Sequence, residues 1–402
     1  MITIDKIAEQ YVKLSLKIGQ HSEYYVDAYY GPADWQPKQS KTDLNTLYKD
    51  ACELINDIDK IITNNTSRRV HYLYVHIKAS ATYINKLLGN ELKFVDECAA
   101  LYDVVPPTFD TQHFDVILKE LDNLVPGTGD LNTRINDYRQ EFVIPVDRLD
   151  AVFNAAIDEA RKRTLNFIDI PSNENFNVEL VNDQVWSAYN WYKGNSYSLI
   201  QLNTDHPIFI DRVIDLAAHE GYPGHHIFNV LIEKHLVNEN GWMEYSIYNL
   251  FSPSSLLAEG SANYGIEVAF PTKERLQFEQ SVLFPLAEIN PEKAKLYYDI
   301  QAVLHKLSYV DNMVAQKYLD NEITADEAVK LLMKYALSSE ERSKQRLKFI
   351  EYNRSYVINY NYGQDLVKVY LANQVTNSSH DELWRVFTEL LSEPRTGSMM
   401  QV

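Results

Sequence analysis

Apolar residues recur at spacings of three and four along most of the chain, which is the period of an amphipathic helix. The pattern predicts helices over residues 1–20, 44–63, 69–88, 114–124, 146–167, 207–219, 291–319, 325–337 and 381–393. Proline and glycine number 14 and 13 among 402 residues, which is few for this length and favours long helices joined by modest loops. The sequence therefore predicts a mainly α fold.

One region departs from the helical pattern. Apolar and polar residues alternate over 177–181, 185–192 and 196–203, and these segments are rich in Val, Tyr and Trp. Turn-forming residues separate them. The region predicts a small antiparallel β-meander just before the helix at 207–219, for which Asp205 is the expected cap and Pro207 the expected first-turn residue.

The chemically most informative segment is the octapeptide at 219–226, which reads HEGYPGHH. It holds three of the chain's 11 histidines beside a glutamate, a density of metal ligands and base that core packing explains poorly. It begins like the His-Glu-x-x-His helix of zinc peptidases, in which two histidines one turn apart bind Zn²⁺ and the glutamate acts on a metal-activated water. Here, however, Pro223 stands where the second histidine belongs.

The spacing excludes a regular helix through the octapeptide. His225 lies six residues after His219 and points about 120° away from it on an ideal helix, whereas His226 lies on the same face but roughly 10 Å further along. Pro223 removes the amide that would bond the carbonyl of His219, and Gly224 frees the backbone. We therefore expect a break or bulge whose enlarged turn returns His225 to the metal, with His226 as the alternative second ligand.

A tetrahedral catalytic zinc site needs a third protein ligand. Glu259 is the best candidate, because Ser252 as a cap and Pro253 in the first turn place it inside a helix about 40 residues after His219. Gly260, the next residue, has no side chain and would permit a close approach between helices. The sequence therefore predicts that a second helix brings one carboxylate to the metal.

Two further acidic residues are weaker candidates. Glu267 is an alternative third ligand. Asp215 lies one turn before His219, where it could orient an imidazole by a hydrogen bond, although an ordinary surface aspartate is the simpler interpretation.

The overall composition bears on partners and compartment. With 38 Lys and Arg against 56 Asp and Glu, the formal net charge is −18, which disfavours nucleic acid and anionic lipid as partners. The two cysteines, Cys52 and Cys98, form no disulfide framework, and residues 1–20 are typical of an amphipathic helix and not of a signal peptide. No stretch approaches the roughly 18 apolar residues of a membrane span. We therefore expect a cytoplasmic protein with no membrane partner. The sequence does not determine its oligomeric state.

The string HExxPGHH at 219–226, followed by a helix that reads Glu-Gly-x-x-x-Tyr from Glu259, resembles the bacterial domain-of-unknown-function 885 family. The segment 27–35, which reads DAYYGPADW, is similar to a recurring stretch in that family. The family's late Pro-Gly-Gln element is echoed by YGQ at 362–364, with Tyr in place of Pro. The resemblance spans most of the chain and is most specific from about 186 to 268.

The resemblance implies a long-helix zincin-like fold, similar to the zinc metallocarboxypeptidases of the carboxypeptidase Taq type and to neurolysin. It implies His219, Glu259 and either His225 or His226 as zinc ligands, with Glu220 as the base. We expect one metallopeptidase-like domain over 1–402. Its N-terminal helical part covers about 1–170, the β-meander and metal site about 175–270, and the C-terminal helical part about 271–402.

Amide hydrolysis also needs a group that stabilises the oxyanion, and a carboxypeptidase needs one that binds the substrate carboxylate. The tyrosine-dense run before Gly363 supplies the candidates Tyr356, Tyr360, Tyr362 and Arg354. For each tyrosine taken alone, a core or surface role is the better explanation, since the chain has 28 tyrosines.

The sequence as a whole predicts a zinc-dependent metallohydrolase, with a peptidase or carboxypeptidase as the first expectation. One Zn²⁺ ion, or another divalent transition metal, would bind His219, His225 and Glu259, and Glu220 would act as general base on a peptide or small amide substrate. One alternative is a metallohydrolase of a non-peptide amide or ester. Another is a helical binding protein with a structural or vestigial metal site, which needs no base such as Glu220.

Overall fold

The computed structural model describes residues 2–38, 40–62, 66–184, 186, 188–377 and 379–401, and this part of the chain is mainly helical, as predicted. Its helices are α1 (Ile4–Gly19), α2 (Leu44–Asp59), α3 (Arg68–Leu87), α4 (Phe94–Tyr102), α5 (Thr111–Leu124), α6 (Leu131–Gln140), α7 (Leu149–Leu165), α8 (Ile210–Leu216), α9 (His225–Ile232), α10 (Pro253–Ala269), α11 (Thr272–Phe278), α12 (Phe284–Leu286), α13 (Ala294–His305), α14 (Val310–Leu319), α15 (Ala325–Tyr335), α16 (Glu340–Asn353), α17 (Ile358–Gln374), α18 (His380–Ser392) and α19 (Gly397–Met400). Its strands are β1 (Val26–Tyr29), β2 (Asn175–Val181), β3 (Ala188–Tyr192), β4 (Tyr197–Asn203) and β5 (Ile247–Asn249). None of the helices described is long and apolar enough to cross a membrane.

Most of the predicted helices are present, with ends shifted by a few residues. The predicted ends at residues 1 and 63 lie outside the described residues. The helix expected over 291–319 is two helices, α13 and α14, because the amides of Lys306 and Leu307 bond to carbonyls three residues back and tighten the chain between them. Among the described helices, the apolar pattern does not predict α4, α6, α9, α11, α12, α16, α17 or α19. The helix α16, for example, buries too few residues to show a clear apolar stripe.

The helix that leads into the octapeptide begins later than expected. It is α8, which starts at Ile210, and Asp205 does not cap it. The carboxylate of Asp205 instead accepts hydrogen bonds from the Asn182 side chain and from the Asp183 backbone amide. The predicted start at residue 207 is therefore wrong, because the proposed cap is bound to the chain that follows β2.

The strands near the octapeptide do not form the expected antiparallel meander. Their order is β2-β4-β3, with β4 parallel to β2 and antiparallel to β3. The connection between β2 and β3 lies at the end of β4, where Asn203 donates to the carbonyls of Gln184 and Trp186. Alternation with period two predicts a strand and its faces but not its neighbours, so only the β3–β4 hairpin of the meander is present. Residue 185, the predicted start of the second strand, lies outside the described residues.

A second sheet, of two strands, is not predicted by the pattern. In it β1 pairs antiparallel with β5, far away in the sequence, and β1 also packs against β3. The register shifts between Val26 and Ala28, which places Asp27 at a β-bulge. The pairing therefore brings the segment 27–35 next to the chain that leads into α10.

Buried hydrophobic side chains from all parts of the described chain form one core. Within it, α10 packs on α17, and Gly260 of α10 lies directly against Gly363 of α17. A Cβ atom on Gly260 would overlap the backbone of Gly363, so the close helix approach expected at Gly260 is confirmed. Because Glu259 immediately precedes Gly260, this contact sets the position of a candidate metal ligand.

We expect Gly260→Ala to lower the free energy of unfolding by about 1–3 kcal/mol, because the added methyl group forces α10 and α17 apart. Gly265→Ala on the same helix is the control, since its added Cβ would meet only side-chain atoms, the nearest being Pro223 Cγ at 3.2 Å, whereas that of Gly260 would lie 2.4 Å from the backbone of Gly363. Urea unfolding followed by circular dichroism measures both changes. Equal losses in the two variants would contradict a special role for the Gly260–Gly363 contact.

Candidate metal centre

The octapeptide at 219–226 is not a continuous α-helix. α8 is followed by a π-helical segment, Ala217–Gly221, whose hydrogen bonds reach back five residues. After it, the N–H of Gly224 donates to the carbonyl of Ala218, six residues back, at 2.9 Å. The enlarged turn expected around Pro223 is therefore present, and α9 begins directly after it at His225.

Only glycine fits at position 224. A Cβ atom there would overlap the carbonyl oxygens of Ala218 and His219. Because the backbone approaches so closely, the chain folds back and the imidazole of His225 meets that of His219, with ring centroids 4.6 Å apart and ring planes perpendicular. The turn thus brings together two histidines that a regular helix would point about 120° apart.

Glu259, on α10, forms a group with these two histidines. Its Oε2 lies 3.3 Å from Nε2 of His219 and 3.7 Å from Nε2 of His225. One ligand atom from each of the three residues lies within 4.8 Å of the other two. Ligand atoms bound about 2.1 Å from a tetrahedral zinc ion are roughly 3.4 Å apart, so the observed spacing is close to that of a zinc site.

The donor atoms and their surroundings fit a zinc ion. Oε2 of Glu259 is buried without a hydrogen-bond partner among the described residues, whereas Oε1 accepts a hydrogen bond from the Tyr356 hydroxyl at 2.8 Å. Nδ1 of His219 faces Oδ1 of Asn263 at 2.9 Å, which directs its Nε2 towards Glu259. Two imidazoles and one carboxylate are a ligand set typical of catalytic zinc.

Electrostatics favour a positive charge within this group. Burial acts to lower the pKa of His225. The carboxylate of Glu259 outweighs this effect, Glu220 and Asp27 act in the same direction as Glu259, and the pKa of His225 rises to about 9. Burial acts to raise the pKa of Glu259, yet the two histidines beside its carboxylate hold this pKa well below its usual range. The group therefore stabilises either a proton on His225 or a metal cation.

His226 is directed away from this group. It is fully buried, with Nδ1 2.8 Å from the Ser198 hydroxyl and Nε2 2.9 Å from a carboxylate oxygen of Glu174. Glu174 also accepts a hydrogen bond from the Tyr222 hydroxyl, which belongs to the other side of the turn. His226 is therefore not part of the group of candidate ligands. His226 and Tyr222, on the two sides of the turn, both bind Glu174.

Neither of the weaker acidic candidates joins the group. The Asp215 carboxylate pairs with Arg275 at 2.8 Å, and in the described part of the chain it makes no side-chain hydrogen bond or ion pair with His219, whose Nδ1 faces Asn263. Glu267 pairs with Lys368 at 3.1 Å. Asp215 therefore does not orient the imidazole of His219, because its charge is held by an arginine on another helix.

Glu220, the predicted base, is 6% exposed and lies beside the candidate ligands. Its backbone carbonyl accepts a hydrogen bond from the Asn190 side chain of β3 at 2.7 Å. Its carboxylate has no hydrogen bond or ion pair to any residue that the structure describes, and its charge acts on both His225 and Tyr360. An unpaired carboxylate next to candidate metal ligands is the arrangement that a general base requires.

Tyr356 and Tyr360 line the same region. Tyr356 donates its hydrogen bond to Glu259, and the rings of the two tyrosines meet edge to face with centroids 5.7 Å apart. Burial, together with the charge of Glu259, raises the pKa of Tyr360 well above its usual value, so its hydroxyl stays protonated. Tyr360 is thus able to donate a hydrogen bond to negative charge that develops at the centre.

Tyr362 and Arg354, the other two predicted residues, lie elsewhere. The hydroxyl of Tyr362 accepts a hydrogen bond from Gln401 at 3.2 Å. The guanidinium of Arg354 is buried against Glu97, to which it donates at 2.7 Å. Arg354 also lines a cleft of about 560 Å³ to which none of the candidate ligands contributes. The structure does not bring either residue to the group of candidate ligands.

Three residues at the centre are not identified from the sequence as members of the site. Asn263 lies one turn after Glu259 on the same face of α10, a spacing that singles it out once Glu259 is chosen. The hydroxyl of Tyr189 donates to Asp27, and burial raises the pKa of Asp27 to about 6 even though Tyr189 opposes this shift. In the sequence, Asp27 is marked only by its position in the segment 27–35, one of the stretches on which the family resemblance is based.

No family model matches the chain, and no curated protein matches it. A solved structure described as "the putative lipoprotein from Colwellia psychrerythraea" is similar to it, with a TM-score of 0.52 and 14% sequence identity, over 89% of this chain and 70% of that chain. At this identity the likeness concerns the fold alone.

We expect the purified protein to bind about one equivalent of zinc and His225→Ala to lose it, because the variant removes a ligand atom. His226→Gln should keep the stoichiometry and weaken the affinity for zinc about 10–100-fold, because His226 does not bind the metal but holds the turn that positions His219 and His225. Elemental analysis and competition with a chelating dye measure both quantities.

His235→Ala, a partly exposed histidine in the segment after α9, is the control and should leave zinc binding unchanged. Zinc retained by His225→Ala but lost by His226→Gln would assign the second ligand to His226. A wild-type protein without affinity for zinc would overturn the candidate centre.

The pKa of His225 predicts a pH dependence of stability for protein kept metal-free with a chelator. The pKa rises from 6.5 to about 9 on folding, so the stabilisation is fully present below pH 6.5 and is lost as the pH rises through 9. Between pH 6 and pH 9.5 the wild type should lose about 3 kcal/mol more unfolding free energy than His225→Gln. Urea unfolding at the two pH values measures this, and an equal loss in both proteins would exclude His225 as the responsible group.

Proposed function

We propose that the chain is a zinc-dependent metallohydrolase that cleaves peptides or small amides. The observation that supports this best is the convergence of His219, His225 and Glu259, whose ligand atoms lie within 4.8 Å of one another, next to the unpaired carboxylate of Glu220. A structural metal site needs no base beside its ligands, whereas hydrolysis does. The combination therefore favours an enzyme over a binding protein with a structural ion.

His219, His225 and Glu259 would hold the metal, and Asn263 and Tyr356 would orient two of these ligands. A bound zinc ion supplies a Lewis acid that polarises a carbonyl and lowers the pKa of a water. The chain contributes the buried position of the ligands and their fixed spacing. The turn at 217–224 and the contact of α10 with α17 set that spacing.

Glu220 would accept the proton of the attacking water and return it to the leaving amine. Its carboxylate is free of hydrogen bonds to the described residues, so no partner has to be displaced before the proton transfer. Tyr360, kept protonated by its surroundings, would donate a hydrogen bond to the carbonyl oxygen as negative charge develops there. Glu220 would thus transfer the proton, and Tyr360 would stabilise the developing charge.

An extended peptide is the substrate shape that the surroundings favour. β3 is an edge strand of the three-stranded sheet, and the side chain of its Asn190 donates a hydrogen bond to the backbone carbonyl of Glu220. An edge strand beside a hydrolytic centre offers backbone groups with which an extended peptide can pair. We retain the domain-of-unknown-function 885 family and the carboxypeptidase Taq-like zincin fold as part of this proposal, supported by the motif at 219–226.

We expect Glu220→Gln to lower kcat by at least about 100-fold while the zinc content stays at one equivalent, because the amide cannot accept the proton. Glu23→Gln, an exposed glutamate remote from the octapeptide in sequence, is the matched control and should behave as the wild type. Hydrolysis of a mixed peptide library, followed by mass spectrometry, is the measurement. Unchanged hydrolysis by the zinc-loaded Glu220→Gln protein would contradict the proposed role of Glu220.

A further inference from the structure

Asp27 is held beside the candidate metal centre by contacts that do not involve the candidate ligands. The bulge in β1 falls at Asp27, and bulges redirect a side chain out of the regular alternation of a strand. Two hydrogen bonds of Tyr30 fix the position of the adjoining segment: its amide donates to the carbonyl of Ser246, and its hydroxyl donates to the carbonyl of Tyr245. The segment 27–35 thus positions one carboxylate next to the centre.

The hydrogen bonds of Asp27 leave one of its oxygens unused. The Tyr189 hydroxyl donates to Oδ1, and no other hydrogen bond or ion pair joins this carboxylate to a residue that the structure describes. Tyr189 is followed on β3 by Asn190, whose side chain donates to the backbone carbonyl of Glu220, so the strand joins Asp27 to the segment that carries the candidate base. The charge of Asp27 acts on both His225 and Glu259. A partly buried carboxylate with a free oxygen is poorly compensated, and a cation that enters the centre would pair with it.

Asp27 does not belong to the group of candidate ligands, which consists of His219, His225 and Glu259. Three carboxylates therefore act at the centre, those of Glu220, Glu259 and Asp27, and one zinc ion would not neutralise all of them. The opposing charges that act on Asp27 are first that of His225, which is neutral when it binds a metal, and then that of Lys193, an exposed residue at the β3–β4 turn. Negative charge thus remains available for a cationic group of the substrate.

One aromatic side chain, that of Tyr189, contacts the same carboxylate. Its ring lies 4.5 Å from that of Trp191 and 5.7 Å from that of Trp186, measured between centroids. The ammonium group of Lys193 lies 5.3 Å from the ring of Trp191, so this aromatic cluster already holds one cation. Aromatic faces beside a carboxylate are a common environment for ammonium and guanidinium groups, which they stabilise by cation–π attraction. The surroundings of Asp27 therefore suit a cation better than a neutral polar group.

We propose that Asp27 is a specificity-determining residue that binds a positively charged ammonium or guanidinium group of the substrate close to the amide that is cleaved. This inference deepens the proposed hydrolytic function and rests on it. It opposes the carboxypeptidase expectation, because Arg354, the only cation among the four residues predicted to bind a substrate carboxylate or the oxyanion, is held by Glu97. A substrate with a free amino terminus or a basic side chain fits the centre instead.

The test uses three peptides that differ only in charge. Norleucyl-Ala-Ala has an α-ammonium group, N-acetyl-Lys-Ala-Ala has only a side-chain ammonium group, and N-acetyl-norleucyl-Ala-Ala has neither. Binding to the zinc-loaded Glu220→Gln protein is measured by calorimetry, so that the peptides are not consumed. The same titrations are repeated with Asp27→Asn added, and separately with Asp34→Asn, an exposed aspartate of the same segment, as the control.

We expect at least one of the two ammonium peptides to bind about tenfold or more tightly than the neutral peptide. Asp27→Asn should abolish this preference and leave the affinity for the neutral peptide unchanged, whereas Asp34→Asn should preserve it. The first two peptides distinguish an amino terminus from a basic side chain as the source of the charge. Equal binding of all three peptides, or an equal loss for all three in Asp27→Asn, would overturn the proposal.

Tyr189→Phe is the second variant, because it leaves the carboxylate in place and removes only its hydrogen bond. It should reduce the preference without abolishing it, and a preference larger than that of the wild type would contradict the role given to Asp27. Hydrolysis of the same peptides by the wild type is scored separately. An Asp27-dependent preference without hydrolysis would refute the proposed function alone, and hydrolysis without any preference would refute only the inference on Asp27.

Discussion

The close approach of Gly224 to the carbonyl of His219 is the constraint on which the rest of the centre depends. A side chain at 224 would overlap that carbonyl, and without the approach the chain would not turn back after the π-helical segment. The turn replaces the usual four-residue spacing of two histidines by a spacing of six and still brings their rings to 4.6 Å. The backbone, and not the side chains, therefore creates the pair of imidazoles.

Two further features hold this turn in place. Buried hydrogen bonds join His226 and Tyr222 to Glu174, so both sides of the turn are bound to the same carboxylate. On the other side of the centre, the glycine contact between α10 and α17 sets the distance at which Glu259 meets the histidines. Arg161 also pairs with Glu174, at 3.2 Å, so the carboxylate that both sides of the turn share has a cationic partner.

The electrostatic character of the centre follows from the number of carboxylates that share it. Glu259 and Glu220 raise the pKa of His225 despite its burial, and Asp27 adds to this effect. Negative potential in a partly buried site attracts cations, which suits a divalent metal and also a charged substrate group. The formal net charge of the whole chain, −18, would also favour the approach of cationic peptides.

The sequence by itself determined what is encoded locally. Apolar periodicity predicted most of the long helices, and the Pro-Gly pair predicted the break after Glu220, because both depend on residues close together in the chain. The tertiary structure alone decided which residues meet. It ordered the strands as β2-β4-β3, directed His225 and not His226 towards Glu259, placed Arg354 on Glu97, and brought Asp27 to the centre through the pairing of β1 with β5. These contacts join residues far apart in sequence. They depend on how whole helices and strands pack, and the spacing of nearby residues does not specify that packing.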